Sequence, residues 1–262
     1  MISSDPWEFF RIGSSLRLNF FERHFVELKF YFKRLFLGAV VSVFFLPTPG
    51  SSKPVVVLDA AHGGNDPGVR AGSEVEKEWN YKFSLSLEKA LEGAGFEVVE
   101  VRKRDETISL EKRAEIINTT QASAVIVIHA DREWTGTKKG PMIVVEPPTQ
   151  ANEFTDIPKW GAITPSRYRS SLKLARAIAG QLGIGSELSS LSDSRGITGE
   201  TTSSTSRLYC LPHQSLRYVS LPAIVLTPLF LTSSSDVKKF SNGAEMEYFS
   251  SKVAQGLADF LQ

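Results

Sequence analysis

From residue 54 onward, apolar and polar positions fall into blocks that predict strands and helices in turn. Val55–Leu58 is an unbroken apolar run, the kind buried on both faces of a sheet. In "EKEWNYKFSLSLEKALEGAG", Trp79, Phe83, Leu87 and Ala90-Leu91 recur at helical spacing, with Gly93 and Gly95 as the stop. "FEVVEVR" predicts the next strand. "SLEKRAEIINTT" predicts a helix capped by Ser109, with Leu110, Ala114 and Ile117 on one face. "AVIVIHAD" and "PMIVVEP" are the third and fourth strands. "SSLKLARAIAGQLG" is a helix closed by Gly183, "LPAIVLTPLFL" a late strand, and "EMEYFSSKVAQGLADFLQ" a terminal helix. Strands alternating with helices predict a single α/β domain with a largely parallel sheet over residues 54–262. The Ser/Thr/Gly-rich residues 185–206 predict a loop, and no internal repeat is present.

Residues 1–53 follow another pattern. Phe20, Phe21, Phe25, Phe30, Phe32 and Phe36 crowd a basic segment ending in Lys33-Arg34. The uncharged run Leu35–Leu46 follows, and then the breaker-rich linker "PTPGSSKP". This order predicts a secretory signal peptide or membrane-anchor segment with a long leader. Such a run rises about 18 Å as a helix, short of the roughly 30 Å bilayer core, so spanning would have to recruit residues from 30 onward. The expected location is outside the cytoplasm, in the periplasm or cell envelope. Membrane contact would come only through residues 30–46.

Composition narrows the chemistry. The 30 basic and 29 acidic side chains nearly balance, so no nucleic-acid partner is expected. Cys210 is the one cysteine, which excludes an intrachain disulfide and zinc sites built from several cysteines. Any metal must therefore be held by histidine and carboxylate.

In open α/β sheets, functional groups gather at the carboxyl ends of strands. His62 follows the end of the first strand, and His129 closes "AVIVIHAD". Glu76 opens the helix after the glycine loop, with Glu74 and Glu78 as nearby competitors. Two histidines and a glutamate are the donor set of a catalytic zinc site with one open position, where the metal acidifies a water and polarises a carbonyl. Gly63-Gly64 are expected to turn the chain without blocking substrate, and Asp59 and Asp66 to bond the turn backbone.

The motifs "LDAAHGGNDPG", "IVIHAD", "DSRGI" (Asp193–Ile197) and "LYCLPHQSLRYVSLPAIVLTPLFLTSSSD" resemble, in order, those of the zinc-dependent N-acetylmuramoyl-L-alanine amidases of bacterial cell walls. Ala61 stands where a glycine is usual and Asp131 where an asparagine is usual. The resemblance covers about residues 54–262. It implies a mixed six-stranded sheet flanked by helices, Zn2+ bound by His62, Glu76 and His129, and hydrolysis of the amide joining the muramic acid lactyl group to L-alanine in peptidoglycan. A cell-envelope protein activator is a further implied partner.

One departure bears on activity. The family's last motif carries a glutamate that serves as general base and acid, and the matching position here is Thr227. A threonine hydroxyl does not titrate near neutrality. Glu146, after the "PMIVV" strand, and His213, in the segment leading to the last strand, are the candidate substitutes. The expectation is an amidase of weakened or absent turnover, with a non-catalytic wall-peptide or envelope-protein binder as the alternative. Residues 147–170 read as too short and proline-rich for a helical insertion, so an open groove is expected.

Overall fold

In the computed structural model, the described residues are 52–132, 139–148, 163–190, 207–210 and 213–262. The predicted signal or anchor segment up to Ser51, the Asp193–Ile197 motif and most of residues 147–162 lie outside them, and the open-groove expectation goes with the last. Among the described residues, no helix is long and apolar enough to cross a membrane.

The apolar runs become the centre of one sheet. In chain order the elements are β1 (Val55–Ala60), β2 (Arg70–Ala71), β3 (Glu74–Val75), α1 (Glu76–Gly93), β4 (Glu97–Glu100), α2 (Leu110–Thr119), β5 (Ala124–Ile128), β6 (Met142–Val145), α3 (Pro165–Leu182), β7 (Gly185–Ser190), β8 (Arg207–Cys210), β9 (Ala223–Thr227), α4 (Ser234–Phe240) and α5 (Gly243–Leu261). The main sheet runs β4-β1-β5-β9-β6-β8-β7, while β2 and β3 form a separate antiparallel hairpin. Every pairing in the main sheet is parallel except β6 with β9. The mixed, largely parallel α/β class is therefore as expected. The strand count is seven against an expected six, and residues 185–190 are the edge strand β7, where a loop was predicted.

Side chains alternate across the central strands and feed two cores. Val56, Leu58, Ile126, Ile128, Ile224 and Leu226 pack with residues of α1, α3 and α5. Val57, Val125, Val127 and Val225 pack with Ile117 of α2 and with Leu216 and Val219. Helices thus cover both faces, and the segment beginning at His213 completes the second. The helix ends follow the sequence signals. Ser109 accepts from the amide of Lys112, and Gly183 closes α3 in a left-handed conformation at φ +68°.

Helices α3 and α5 meet closely at Gly256. A Cβ there would lie 2.6 Å from the Ile178 Cα and 2.9 Å from the Ala177 carbonyl oxygen, both backbone atoms that cannot step aside. Gly256→Ala gains about 1 kcal/mol of helix propensity. It must also push the paired helices away from each other, and overpacking typically costs about 1–3 kcal/mol. The variant is expected to be less stable than the parent in urea denaturation, by up to about 2 kcal/mol net.

Candidate metal centre

The end of β1 is built around a buried charge. Asp59 is 1% exposed and pairs with the Arg113 guanidinium from α2. Arg113 also donates to the carbonyls of Ala60 (3.1 Å), His62 (2.6 Å) and Ile108 (3.1 Å). Arg102 adds a bond to the Ala60 carbonyl at 2.7 Å. Asp59 therefore does not cap the turn as expected; it anchors the arginine that holds the turn. Asp66 does bond the turn, accepting from the Gly68 amide at 3.1 Å.

His62 emerges from this clamp with φ +62°, the left-handed region that few non-glycine residues adopt. The chain then turns through Gly63 and Gly64. A Cβ on Gly64 would lie 2.2 Å from the Thr107 Oγ1, so the glycine pair admits the 105–107 loop rather than substrate. The glycine that faces the site is Gly68, where a Cβ would lie 2.5 Å from Glu76 Oε2 and 2.7 Å from the His62 ring.

The β2–β3 hairpin returns the chain so that Glu76 opens α1 at the same sheet edge. Its carboxylate is 1% exposed and accepts from the Val69 amide at 2.8 Å. Glu74 instead accepts from the Trp79 indole at 2.6 Å, and Glu78 faces solvent. His129 follows β5, its amide bonded to the Leu226 carbonyl at 3.1 Å. His129 Nδ1 lies 2.8 Å from Glu76 Oε1, and His62 Nε2 lies 3.3 Å from Glu76 Oε2. One ligand atom from each of His62, Glu76 and His129 lies within 4.8 Å of the other two. Two ligands on a tetrahedral ion with 2.0–2.1 Å bonds sit roughly 3.3–3.4 Å apart, so this donor set suits a small divalent ion.

Electrostatics agree with that geometry. Burial alone would raise the Glu76 carboxyl, but the bonds from both imidazoles outweigh it and hold the group well below the usual carboxylate range. Burial alone would lower His62, but its bonds to Glu76 and Asp66, with their charges, leave it raised. Such a carboxylate is ionised throughout the neutral range and ready to bind a cation.

The remaining candidates separate. Thr227 ends β9, directly after Leu226, which pairs with Ile128 just as His129 follows it. Thr227 is 1% exposed, and its hydroxyl has no partner among the described residues. His213 stands with its ring 5.2 Å from that of His129. Burial, then the electrostatic influence of the neighbouring His129 ring, push it down to about 4, so it is neutral at pH 7. Glu146 is a correction. Because β6 runs antiparallel to β9, with Met142 opposite Thr227 and Val144 opposite Val225, Glu146 falls level with Ala223. That is about 13 Å of strand from Thr227, at the opposite edge of the sheet. Glu146 has no access to the centre.

Two histidines and a glutamate at the carboxyl edge of an α/β sheet form a donor set that could hold a metal ion. The N-acetylmuramoyl-L-alanine amidase family profile matches residues 56–259, and the chain belongs to that family. The chain is 34% identical over 104 residues to a putative N-acetylmuramoyl-L-alanine amidase of Buchnera aphidicola, covering 39% of this chain and 44% of that protein. It is 24% identical over 246 residues to the amidase AmiC of Neisseria meningitidis, covering 82% of this chain and 55% of that one. It thus spans about half the length of these curated relatives. Among solved structures, the CwlD amidase of Clostridioides difficile, determined in complex with the GerS lipoprotein, superposes with a TM-score of 0.59 at 19% identity, covering 80% of this chain and 98% of that one. AmiC2 of Nostoc punctiforme gives 0.59 at 21% identity, covering 81% and 99%. At these identities the structures bear on the fold.

Sequence reasoning did not find Asp66 and Ser215 as partners of the histidines, because each contact depends on loop geometry. Arg113 did leave a signal. It lies four residues before Ile117 on the apolar face of α2, where a charge implies a buried partner.

Glu146 yields a pH test. Burial pushes its carboxyl up to about 7, against the partial relief given by Arg167 and Arg217. A raised carboxyl stabilises fully below its unfolded value near 4.5, and that contribution is lost as pH rises through 7. Glu146→Gln is therefore expected to be more stable than the parent above pH 7, by about 1–3 kcal/mol, and not below pH 5. Urea denaturation at pH 5 and 8.5 measures this, and any peptidoglycan turnover should be unchanged.

Proposed function

We propose that this chain is an exported cell-wall amidase whose zinc ion is held by His62, Glu76 and His129, and which turns over peptidoglycan slowly. Its main support is the convergence of those three side chains at one sheet edge in a member of the amidase family. The amide joining the muramic acid lactyl group to L-alanine is the proposed substrate bond. Export is supported by the basic Lys33-Arg34 flank and the uncharged run to Leu46.

When bound, zinc would supply Lewis-acid polarisation of the scissile carbonyl and an acidified water. The protein's own groups do the rest. Glu76 lies between the two imidazoles, 3.3 Å from His62 Nε2 and 2.8 Å from His129 Nδ1, and sets their spacing. Asp66 accepts from His62 Nδ1 at 2.8 Å, which leaves Nε2 turned to Glu76. For full activity, the edge beside β9 should hold a group that takes a proton and returns it, a contribution of typically 10²–10⁴-fold. The Thr227 hydroxyl can neither take up nor release a proton at neutral pH. His213, neutral and pushed down to about 4, is a weak base. Slow turnover follows from that deficit.

Purified full chain is expected to carry one equivalent of zinc by metal analysis, and His129→Ala and Glu76→Ala to lose most of it. Glu74→Ala should keep it, because Glu74 is engaged with Trp79.

Thr227→Glu is expected to raise the release of L-alanine amino termini from peptidoglycan by about 10²–10⁴-fold. A fast parent that the substitution does not improve would overturn slow turnover. A slow parent that retains zinc and is not rescued would favour a binding role for wall peptides over hydrolysis.

A further inference from the structure

The two histidines of the centre face Glu76 through unlike nitrogens. His62 turns Nε2 toward Glu76 Oε2 and gives Nδ1 to Asp66. His129 turns Nδ1 toward Glu76 Oε1, and its Nε2 lies 3.3 Å from the Ser215 hydroxyl oxygen. A neutral imidazole carries one proton and one free lone pair, and the partner of one nitrogen decides which the other presents. If His129 donates Nε2–H to Ser215, Nδ1 keeps its lone pair on the side of Glu76 and His62. A ring turned by half a revolution would set carbon against both oxygens, losing the Ser215 bond and turning the Nδ1 lone pair away from Glu76.

We propose that Ser215 is a positioning residue that makes His129 an Nδ1 ligand, so that the centre binds zinc through Nε2 of one histidine and Nδ1 of the other. This rests on the zinc reading given above.

Ser215 is held in place from several sides. Its amide donates to His213 Nδ1 at 3.3 Å, and the Leu216 amide donates to the His213 carbonyl at 2.9 Å. Leu216 is fully buried, and its carbonyl accepts from the Arg167 guanidinium at 3.1 Å. The His213 ring packs edge-on against His129 and limits its rotation. A hydroxyl on a fixed turn is thus presented to a ring that has little freedom. Such outer partners are typically worth about 10–100-fold in metal affinity, and an uncharged hydroxyl belongs at the lower end.

Two measurements on the full chain test this. In the zinc-loaded parent labelled with ¹⁵N-histidine, long-range ¹H–¹⁵N correlation spectra should show His62 ligated through Nε2 and His129 through Nδ1. Competition with a zinc chelator should show Ser215→Ala binding zinc about 10-fold more weakly, with Ser215→Thr restoring affinity because it keeps the hydroxyl. Ser220→Ala, whose hydroxyl bonds Asn118, should match the parent. Nε2 ligation by both histidines would overturn the proposal, whatever the variants do. So would parental affinity in Ser215→Ala, or a loss that threonine does not restore. A parent that takes up no zinc would overturn the zinc reading as well, which separates that failure from this one.

Discussion

The contact on which the rest of the centre depends is the buried pairing of Asp59 with Arg113. Two charges taken out of water form a poor source of net stability, yet removing one partner of such a pair costs about 3–5 kcal/mol. The reason for keeping it lies in what the guanidinium does with its other donors. They reach the carbonyls of Ala60 and His62, at and beyond the end of the β1 ladder, and of Ile108, just before the arginine's own helix. Left-handed backbone at a residue such as His62 costs about 1–3 kcal/mol. A hydrogen bond from a charged donor contributes about 1.5–3 kcal/mol, enough to offset it. A lysine in place of Arg113 would supply the charge without the planar fork.

Charge and backbone then reinforce one another at the sheet edge. Glu76 accepts from the Val69 amide, while its own amide donates to the Val69 carbonyl at 2.9 Å. The hairpin and the helix start are thereby closed on each other. Gly68 allows that closure to happen within contact distance of the His62 ring. Burial raises the cost of an ionised carboxylate, and the two imidazoles more than reverse it. The same low exposure that excludes water strengthens each of these attractions.

Much of this was legible in the sequence. Continuous apolar strands announced a sheet buried on both sides, and strand-end histidines announced its functional edge. Periodicity could not choose among Glu74, Glu76 and Glu78, since all sit near the start of a helix where acids are common. The choice was made by a tertiary contact, the Trp79 indole drawing Glu74 away. Glu146 was misread because a strand-end residue reaches the centre only if its strand runs the right way. Strand direction is a property of the sheet, invisible in a run such as "PMIVV". Ser215 gave no signal, since its position depends on the neighbouring Leu216 entering the core and on the turn that His213 closes. The edge strand β7 was hidden by serine and glycine, which neither alternate nor run apolar.

The reversal between β9 and β6 divides the molecule into a working half and a carrying half. Among the described residues, 59–131 and 213–231 supply the groups at the centre, and the intervening strands β6, β8 and β7 point their carboxyl ends the other way. A connection leaving β6 starts from the remote edge, so its length can drift between related proteins without moving a ligand atom. What such drift must also preserve is the grip of Arg167 on the Leu216 and Leu221 carbonyls, because that guanidinium is a strut joining the two halves alongside the β6–β9 ladder.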